Sequence, residues 1–190
     1  MKYCKTMKKT FYIIAAFFVL CMCPSCLGDD EPETYEKWRK ENEKWIDAKA
    51  AEKDESGANL YERINSAWDN NGYVLMRWHN DRSLTEKNLS PLSTSTIDVK
   101  YQVQDIDSVM IDNSYSRTTP ADSVYRTQLN KNLSGWVIAL SAMHVGDSCT
   151  IIIPYSQAYG AREYGKVKPY SNLIFQVRLL GIPGYQTDAI

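Results

Sequence analysis

The chain has 190 residues, of which 22 are basic and 23 acidic, so its formal net charge is −1. Residues 1 to 26, interpreted below as a signal segment, hold four of the basic residues and none of the acidic ones. This leaves 190 minus 26, or 164, residues with a net charge of 18 minus 23, or −5. The balance argues against a nucleic-acid partner, and the length is enough for one domain with a hydrophobic core and an extension.

The N-terminus has the features of a secretory signal. Lys2, Lys5, Lys8 and Lys9 form a cationic start without an acidic residue, and an apolar run from Phe11 to Met22 follows. A membrane-spanning helix needs about 20 apolar residues, so this run is too short for a span and predicts a cleaved signal instead.

The signal ends in a cysteine that a small residue precedes. Ser25-Cys26 resembles the lipobox of bacterial lipoproteins, although Cys23 stands where that motif usually has an aliphatic residue. Cys26 is therefore the predicted lipid attachment site of an outer-membrane lipoprotein of the cell envelope, with a simple signal peptide as the alternative. The acidic segment from Leu27 to Glu31 is either a surface export signal or a flexible tether.

The cysteine count excludes a disulfide within the folded part. Four of the five cysteines, Cys4, Cys21, Cys23 and Cys26, belong to the predicted signal. Cys149 is left alone, and we expect it to be a small buried residue in a strand.

Residues 27 to 58 are predicted to form an acidic tether and a charged amphipathic helix. No glycine or proline occurs between residues 33 and 53, and Tyr35, Trp38 and Trp45 are spaced by three and seven, which predicts a helix with one aromatic stripe. The stripe packs on the following domain, dimerises or lies at a membrane interface, and packing is the commoner outcome. Residues 54 to 59 read as a hinge.

Residues 59 to 190 are predicted to form one α+β domain with its core at about 72 to 182. A second short helix is expected at 59 to 69, and a loop at 89 to 95. Alternating or β-branched runs then predict strands, and apolar residues recurring at three and four predict an amphipathic helix from Leu133 to Met143. The predicted strands cover residues 72–78, 97–104, 108–111, 125–129, 148–154 and 172–180.

Four motifs in the second half of the chain occur together in one known family. They are Leu133-x-Gly135-Trp136, Met143-x-Val145-Gly146-Asp147, Pro154-Tyr155-x-x-Ala158-Tyr159-Gly160 and Leu173-Ile174-Phe175-x-Val177-x-Leu179-Leu180. Together they resemble the FKBP-type peptidyl-prolyl cis-trans isomerases over about residues 72 to 182. The resemblance implies a bent antiparallel β-sheet wrapped around one short helix, with the N-terminal helix as an extension.

The resemblance also implies an apolar pocket for a substrate proline. Trp136 matches the indole at the pocket floor, Tyr101 and Tyr125 match the side walls, and Phe175 matches the back. Each of these residues is also a reasonable core residue of any α+β domain. Their joint occurrence in the family's order is what favours a pocket.

Four further residues match positions that contact the peptide. Tyr159 matches a loop tyrosine whose hydroxyl donates to a substrate carbonyl, and Asp112 matches an aspartate on the rim. Leu133 takes the position whose backbone N–H binds the peptide, and Val167 takes a flap position. Asp112 could equally be a turn residue, and Tyr159 a loop tyrosine without a ligand.

The chain departs from the family pattern around the pocket. Ile111 replaces a phenylalanine, Asn132 replaces a valine or isoleucine, and residues 160 to 170 lack the usual proline-containing pieces. These changes predict either an isomerase with an altered pocket or a catalytically weak binding module or chaperone, with a purely structural lipoprotein as a third reading.

The implied partners are proline-containing peptides or unfolded exported proteins, and the implied reaction needs no cofactor. No oxygen-ligand loop with metal spacing is present in the sequence. His79 and His144 do not form a site, and we expect His144 to be solvated at an exposed helix exit.

Overall fold

The computed structural model describes residues 33–185. Cys26 and the predicted signal lie outside these residues. The helices are α1 (Glu33–Ala50) and α2 (Ser134–Ser141), and the strands are β1 (Glu62–Asn65), β2 (Tyr73–Trp78), β3 (Thr96–Gln104), β4 (Met110–Asn113), β5 (Tyr125–Gln128), β6 (Ser148–Ile153) and β7 (Leu173–Gly181). No helix among the described residues is both long and apolar enough to span a bilayer.

The seven strands form one antiparallel sheet in the order β1-β2-β6-β7-β3-β4, and β5 pairs with β3 beyond the end of β4. Strand β3 pairs with three strands, β4, β5 and β7, and its side chains alternate strictly between buried and half-buried positions. It pairs with β7 from Asp98 to Gln104, with Tyr101 opposite Val177 and Val103 opposite Phe175. The α+β class predicted from the sequence is confirmed.

Helix α2 packs closely against the sheet. Every residue from Gly135 to Leu140 is buried. A Cβ atom on Gly135 would stand 2.3 Å from the Cγ2 atom of Ile153, so only glycine lets the helix approach β6 this closely. This contact explains the glycine of the Leu-x-Gly-Trp motif and places Trp136 directly over the sheet.

The predicted second helix at 59 to 69 is wrong, because residues 62–65 form β1, which pairs with β2 and sets Ile64 opposite Val74. The chain then turns, and the Ser66 hydroxyl oxygen accepts the backbone N–H groups of Trp68 and Asp69. Side chains that bond to nearby backbone in this way compete with helix formation.

The exit from α2 is a buried polar cluster. Asp147 is fully buried, and its carboxylate accepts the His144 N–H at 2.8 Å, the Thr85 hydroxyl at 2.5 Å and the Asn80 amide at 3.1 Å. The expectation of a solvated His144 is wrong, because its ring is partly buried and its Nδ1 atom lies 3.1 Å from an Arg82 guanidinium nitrogen.

Cys149 lies fully buried in β6, as predicted. Burial raises the pKa of its thiol to about 12, and the nearby Asp147 carboxylate adds to the effect.

Helix α1 belongs to the same compact unit as the sheet and packs against it. Ile46 lies in a cluster with Leu75 and Ile152, and Trp38 is 8% exposed. The Trp38 indole N–H donates to the Ser171 hydroxyl at 2.9 Å. Of the three outcomes considered for the aromatic stripe, the structure shows packing on the domain.

Candidate active site: an aromatic cleft

An open cleft of about 780 Å³ lies between the start of α2, the strands β3, β4, β5 and β7, and the segment from Ala158 to Val167. All eight residues predicted for the pocket line it. They are Tyr101, Asp112, Tyr125, Leu133, Trp136, Tyr159, Val167 and Phe175. The sheet register brings the aromatic ones together, because inward-facing positions of neighbouring strands lie side by side.

Four aromatic rings form the inner part of the cleft. The Trp136 ring lies 5.4 Å from Tyr101 at 87°, 5.4 Å from Phe175 at 73° and 6.3 Å from Tyr125 at 67°. Edge-to-face contacts of this kind are a favoured packing of aromatic rings. The indole N–H of Trp136 is buried and has no hydrogen-bond partner among residues 33–185.

Tyr101 and Asp112 are joined by a short hydrogen bond. The Tyr101 hydroxyl donates to Asp112 Oδ2 at 2.6 Å, across the β3–β4 pair. Burial and the carboxylate raise the pKa of Tyr101 to about 12, although Arg117 acts in the opposite direction. Tyr101 is therefore a neutral donor throughout the physiological range, and Asp112 is its acceptor.

Tyr159 stands on the opposite side of the cleft. Its ring stacks on Tyr164, with centroids 4.4 Å apart and planes at 10°. Burial raises the pKa of its hydroxyl, and Tyr164 and Asp112 also contribute. The Tyr159 hydroxyl is thus a neutral donor at the mouth of the cleft. Tyr164, which the sequence did not single out, is 62% exposed.

Val167 closes a small turn beside Tyr159. Its backbone N–H and C=O pair with Tyr164 at 2.9 and 3.0 Å, and Gly165 between them has φ +58°. The side chain of Val167 is 3% exposed and faces the cleft. A glycine at this position suits the left-handed backbone of the turn.

Two of the three departures from the family pattern are single replacements, Asn132 and Ile111, and their consequences differ. The Asn132 amide donates to the Gln128 carbonyl at 2.8 Å and to the Leu129 carbonyl at 3.2 Å, so its polar group is bonded to the preceding turn. Ile111 lines the cleft directly. Leu133, which follows Asn132 in the sequence, has a backbone N–H that forms no hydrogen bond with any described part of the chain.

Sequence reasoning missed the charged part of the lining. Arg117, Lys131, Arg162 and Lys166 also line the cleft, and the Arg117 guanidinium lies 4.4 Å from the centroid of the Tyr125 ring. These residues occur in turns without a motif of their own. Among residues 33–185, no group of three or more His, Cys, Asp or Glu side chains could hold a metal ion.

An antiparallel sheet around one short helix, with an aromatic cleft at the start of that helix, defines a domain of the α+β class. The family model of FKBP-type peptidyl-prolyl cis-trans isomerases matches residues 88–180. The family assignment therefore holds for the segment from residue 88 to residue 180, which is 93 of the 190 residues.

Curated relatives agree with this assignment. The chain is 37% identical over 93 residues to the FKBP-type 22 kDa peptidyl-prolyl cis-trans isomerase of Escherichia coli K12, covering 48% of this chain and 43% of the relative. It is 32% identical over 104 residues to FkpA of the same strain, covering 54% and 37%. The chain therefore spans less than half the length of these two relatives.

Solved structures share the fold. A peptidyl-prolyl cis-trans isomerase from Pseudomonas syringae pv. tomato matches with a TM-score of 0.60 at 24% identity, covering 82% of this chain and 98% of that one. FkpA from Escherichia coli matches with a TM-score of 0.60 at 25% identity, covering 77% and 62%.

Proposed function

We propose that the aromatic cleft catalyses cis-trans isomerisation of Xaa-Pro bonds in peptides or unfolded proteins. The observation that carries this proposal is the meeting of Tyr101, Tyr125, Trp136 and Phe175 in one open cleft within the family segment. A proline ring is apolar and compact. The Trp136 ring, with the Tyr101, Tyr125 and Phe175 rings packed edge-to-face around it, is therefore a complementary site.

The chemistry requires an environment rather than a nucleophile. Amide resonance gives the bond a rotational barrier of about 18–20 kcal/mol, and uncatalysed X-Pro isomerisation takes on the order of tens to hundreds of seconds. Twisting the bond breaks the resonance and reduces its polarity. The aromatic inner part of the cleft therefore favours the twisted state over the planar one, which is the differential binding that catalysis needs.

The described residues have separate roles in this proposal. Trp136 supports the proline ring, the Tyr159 hydroxyl donates to a substrate carbonyl, and the free N–H of Leu133 donates to the peptide backbone. Asp112 accepts the Tyr101 hydroxyl at 2.6 Å, so it acts through Tyr101 by orienting that hydroxyl.

The test is a protease-free isomerisation assay on an Xaa-Pro peptide, with Tyr159→Phe as the main variant. Losing one hydroxyl that acts in the twisted state should lower kcat/KM about tenfold, equivalent to about 1.4 kcal/mol, with little change in stability. Tyr115→Phe is the matched control, because Tyr115 is 57% exposed and does not line the cleft. A wild-type rate equal to the uncatalysed rate would contradict the proposal.

A peptide-binding module without catalysis is the second candidate. Ile111 favours it, because an aliphatic side chain lines the cleft where the family has an aromatic ring. Binding of proline peptides without faster Xaa-Pro isomerisation would support the binding module. If neither binding nor faster isomerisation is seen, both candidate functions fail and only the fold assignment stands.

The proposal includes an envelope location through a lipid on Cys26, with exported proteins as substrates. The cationic start, the apolar run and Ser25-Cys26 support it. A relative named outer membrane protein MIP, from Legionella longbeachae, is 29% identical over 93 residues, covering 48% of this chain and 38% of the relative. Metabolic fatty-acid labelling of wild type and Cys26→Ala tests this part, and label retained on the variant would exclude Cys26.

A further inference from the structure

The rim of the aromatic cleft is strongly basic. Its four cationic side chains come from three separate segments: Arg117 from the β4–β5 loop, Lys131 from the turn before α2, and Arg162 and Lys166 from the segment opposite. Asp112 is the one acidic side chain among the described residues that line the cleft. A ligand in the cleft is thus surrounded by positive charge on several sides.

This charge is not neutralised within the described part of the chain. None of the four cations lies within salt-bridge distance of a described carboxylate, whereas Arg39 and Lys40 on α1 are both paired with glutamates. The Asp112 carboxylate already accepts the Tyr101 hydroxyl at 2.6 Å and the Asn113 N–H at 2.8 Å. The chain as a whole has net charge −1, so the basic rim is a local feature.

Resting on the proposed isomerase function, we propose that the cleft selects proline peptides with an acidic side chain next to the Xaa-Pro unit. A peptide seated on Trp136 passes between the three basic segments, so a carboxylate on either side of the proline meets a cation. One exposed pair contributes little, but several like charges around a low-dielectric cleft add to one another. The selection is therefore electrostatic and weakens with salt.

The experiment compares peptides that differ only in charge. Glu, Gln or Lys is placed directly before or directly after the Xaa-Pro unit, and kcat/KM is measured at low and high salt. We expect the Glu peptides to exceed the Gln peptides by about three- to tenfold at low salt and the Lys peptides to fall below both. The differences should largely vanish at roughly 0.5 M salt.

Charge-neutral variants connect this preference to the rim. Lys131→Gln and Arg162→Gln should each reduce the Glu-to-Gln ratio of kcat/KM by about two- to threefold. Arg178→Gln is the matched control, since Arg178 is exposed on β7, carries the same charge and does not line the cleft. It should leave the ratio unchanged.

The outcomes separate this inference from the isomerase proposal. Acceleration of Glu and Gln peptides at the same rate overturns the acidic preference and leaves the activity standing. If no peptide is accelerated, the isomerase proposal fails, and tryptophan fluorescence titrations of the same peptides decide the preference. Equal Kd values for Glu and Gln peptides would then overturn it.

A different observation carries a second inference. Helix α1 contacts both ends of the segment from Pro154 to Asn172, which supplies Tyr159 and Val167 to the cleft. Near one end, the Tyr155 hydroxyl donates to Glu43 Oε1 at 2.9 Å. At the other end, the Asn172 N–H donates to Asn42 Oδ1 at 2.7 Å.

The two ends are also joined to each other through Asn172. Its side-chain oxygen accepts the Tyr155 N–H at 2.9 Å, and its side-chain amide donates to the Asn42 carbonyl at 2.7 Å. Both asparagines are fully buried. We infer that Asn42 is a positioning residue, which holds the segment so that Tyr159 and Val167 face the substrate of the proposed reaction.

The test compares two truncations on α1. Asn42→Ala removes the acceptor of the Asn172 N–H, while Ile46→Ala removes packing against Leu75 and Ile152 in the sheet and no hydrogen bond to the segment. Both should lower Tm, but Asn42→Ala should also lower kcat/KM at least threefold and speed hydrogen exchange of the amides between residues 158 and 167. Ile46→Ala should leave that exchange slow.

A double-mutant cycle completes the test. If Asn42 acts through the segment, Tyr159→Phe should cost less in the Asn42→Ala background than in wild type. The positioning role would be overturned if Tyr159→Phe lowered kcat/KM by the same factor in both backgrounds. It would also be overturned if the two α1 variants had equal hydrogen-exchange rates between residues 158 and 167. If no peptide is accelerated, the same comparison is made on the Kd for a proline peptide, which keeps the inference separate from the activity.

Discussion

The domain has two aromatic regions, one around Trp38 and one around Trp136, and they differ in whether the indole N–H has a hydrogen-bond partner. Around Trp38, the chain covers the rings with its own helix: the indole N–H donates to Ser171, and Lys168 lies 4.2 Å from the ring centroid. Around Trp136, the rings of Tyr101, Trp136 and Phe175 are buried as well but line a cleft of about 780 Å³, and the indole N–H has no partner among the described residues. Trp38 also borders an open pocket, of about 330 Å³. What separates the two regions is the indole donor, which is bonded at Trp38 and has no partner at Trp136 among the described residues.

The difference shows which features separate a core from a binding site. Both tryptophans are less than 10% exposed, so burial of the indole does not distinguish them. Hydrogen bonding does, because buried donors in a finished core are nearly always paired. The unpaired Trp136 donor is therefore the feature that sets the candidate site apart from the Trp38 region.

The largest expected effect concerns the covered region. A chain beginning at Asn59 should still unfold cooperatively, because the sheet and α2 are complete without α1. Its stability should fall by about 3–5 kcal/mol, or Tm by roughly 10–20 °C, since Trp38, Asn42 and Ile46 lose their contacts. Differential scanning calorimetry measures this. A molten product would mean that α1 is part of the core rather than a cover.

The two tryptophans should differ in function and agree in stability. Trp38→Ala and Trp136→Ala should each cost about 3 kcal/mol in chemical denaturation, because each removes a large buried side chain. Peptide binding should disappear in Trp136→Ala and persist in Trp38→Ala, as measured by NMR titration. Loss of binding in both variants would remove the distinction between the regions.

Smaller effects are expected from single hydroxyl groups. Tyr101→Phe and Ser171→Ala each remove one hydrogen-bonded hydroxyl, so each should cost about 1 kcal/mol of stability. Tyr101→Phe should also lower kcat/KM, because Asp112 then has no hydroxyl to orient. Equal activity of the two variants would show that Tyr101 contributes only packing.

The smallest effect should come from pH. No histidine or cysteine lines the cleft within residues 33–185, so kcat/KM should be flat from about pH 6 to 9.

The pKa of Tyr101 is raised from 10.0 to about 12, so its stabilising effect is present below pH 10 and is lost as pH rises towards 12. The pKa of Tyr155 beside α1 is raised too, chiefly by burial. Alkaline unfolding of Tyr101→Phe and Tyr155→Phe separates the two regions.

Secondary-structure elements could be predicted from the sequence where the spacing of apolar residues matches the spacing of buried positions. Strand β3 alternates throughout, and α2 carries apolar residues at helical spacing, so both were found within a few residues of their ends. Strand β1 was missed because four residues with one partly buried apolar side chain carry no clear period. Its pairing with β2 is a tertiary effect that overrides local preference.

The site was predictable as a set of family positions, and its polar detail was not. Four of the eight pocket residues lie in the four motifs, and the other four follow from matching the chain to the family's positions. The bond between Asn42 and Asn172, by contrast, joins residues 130 apart in the chain. The basic rim was missed for a similar reason: Lys131 and Arg162 lie in turns where a charged residue is usually just solvated.

The burial of Cys149 makes the folded domain inert to thiol reagents. Four of the five cysteines lie at or before residue 26, so a chain lacking those residues carries a single thiol. That thiol is fully buried with its pKa raised to about 12, and reagents attack the exposed thiolate. Labelling of Cys149 therefore reports unfolding of the domain, and a cysteine introduced at the cleft rim would accept a fluorophore selectively, giving a direct optical reading of peptide capture.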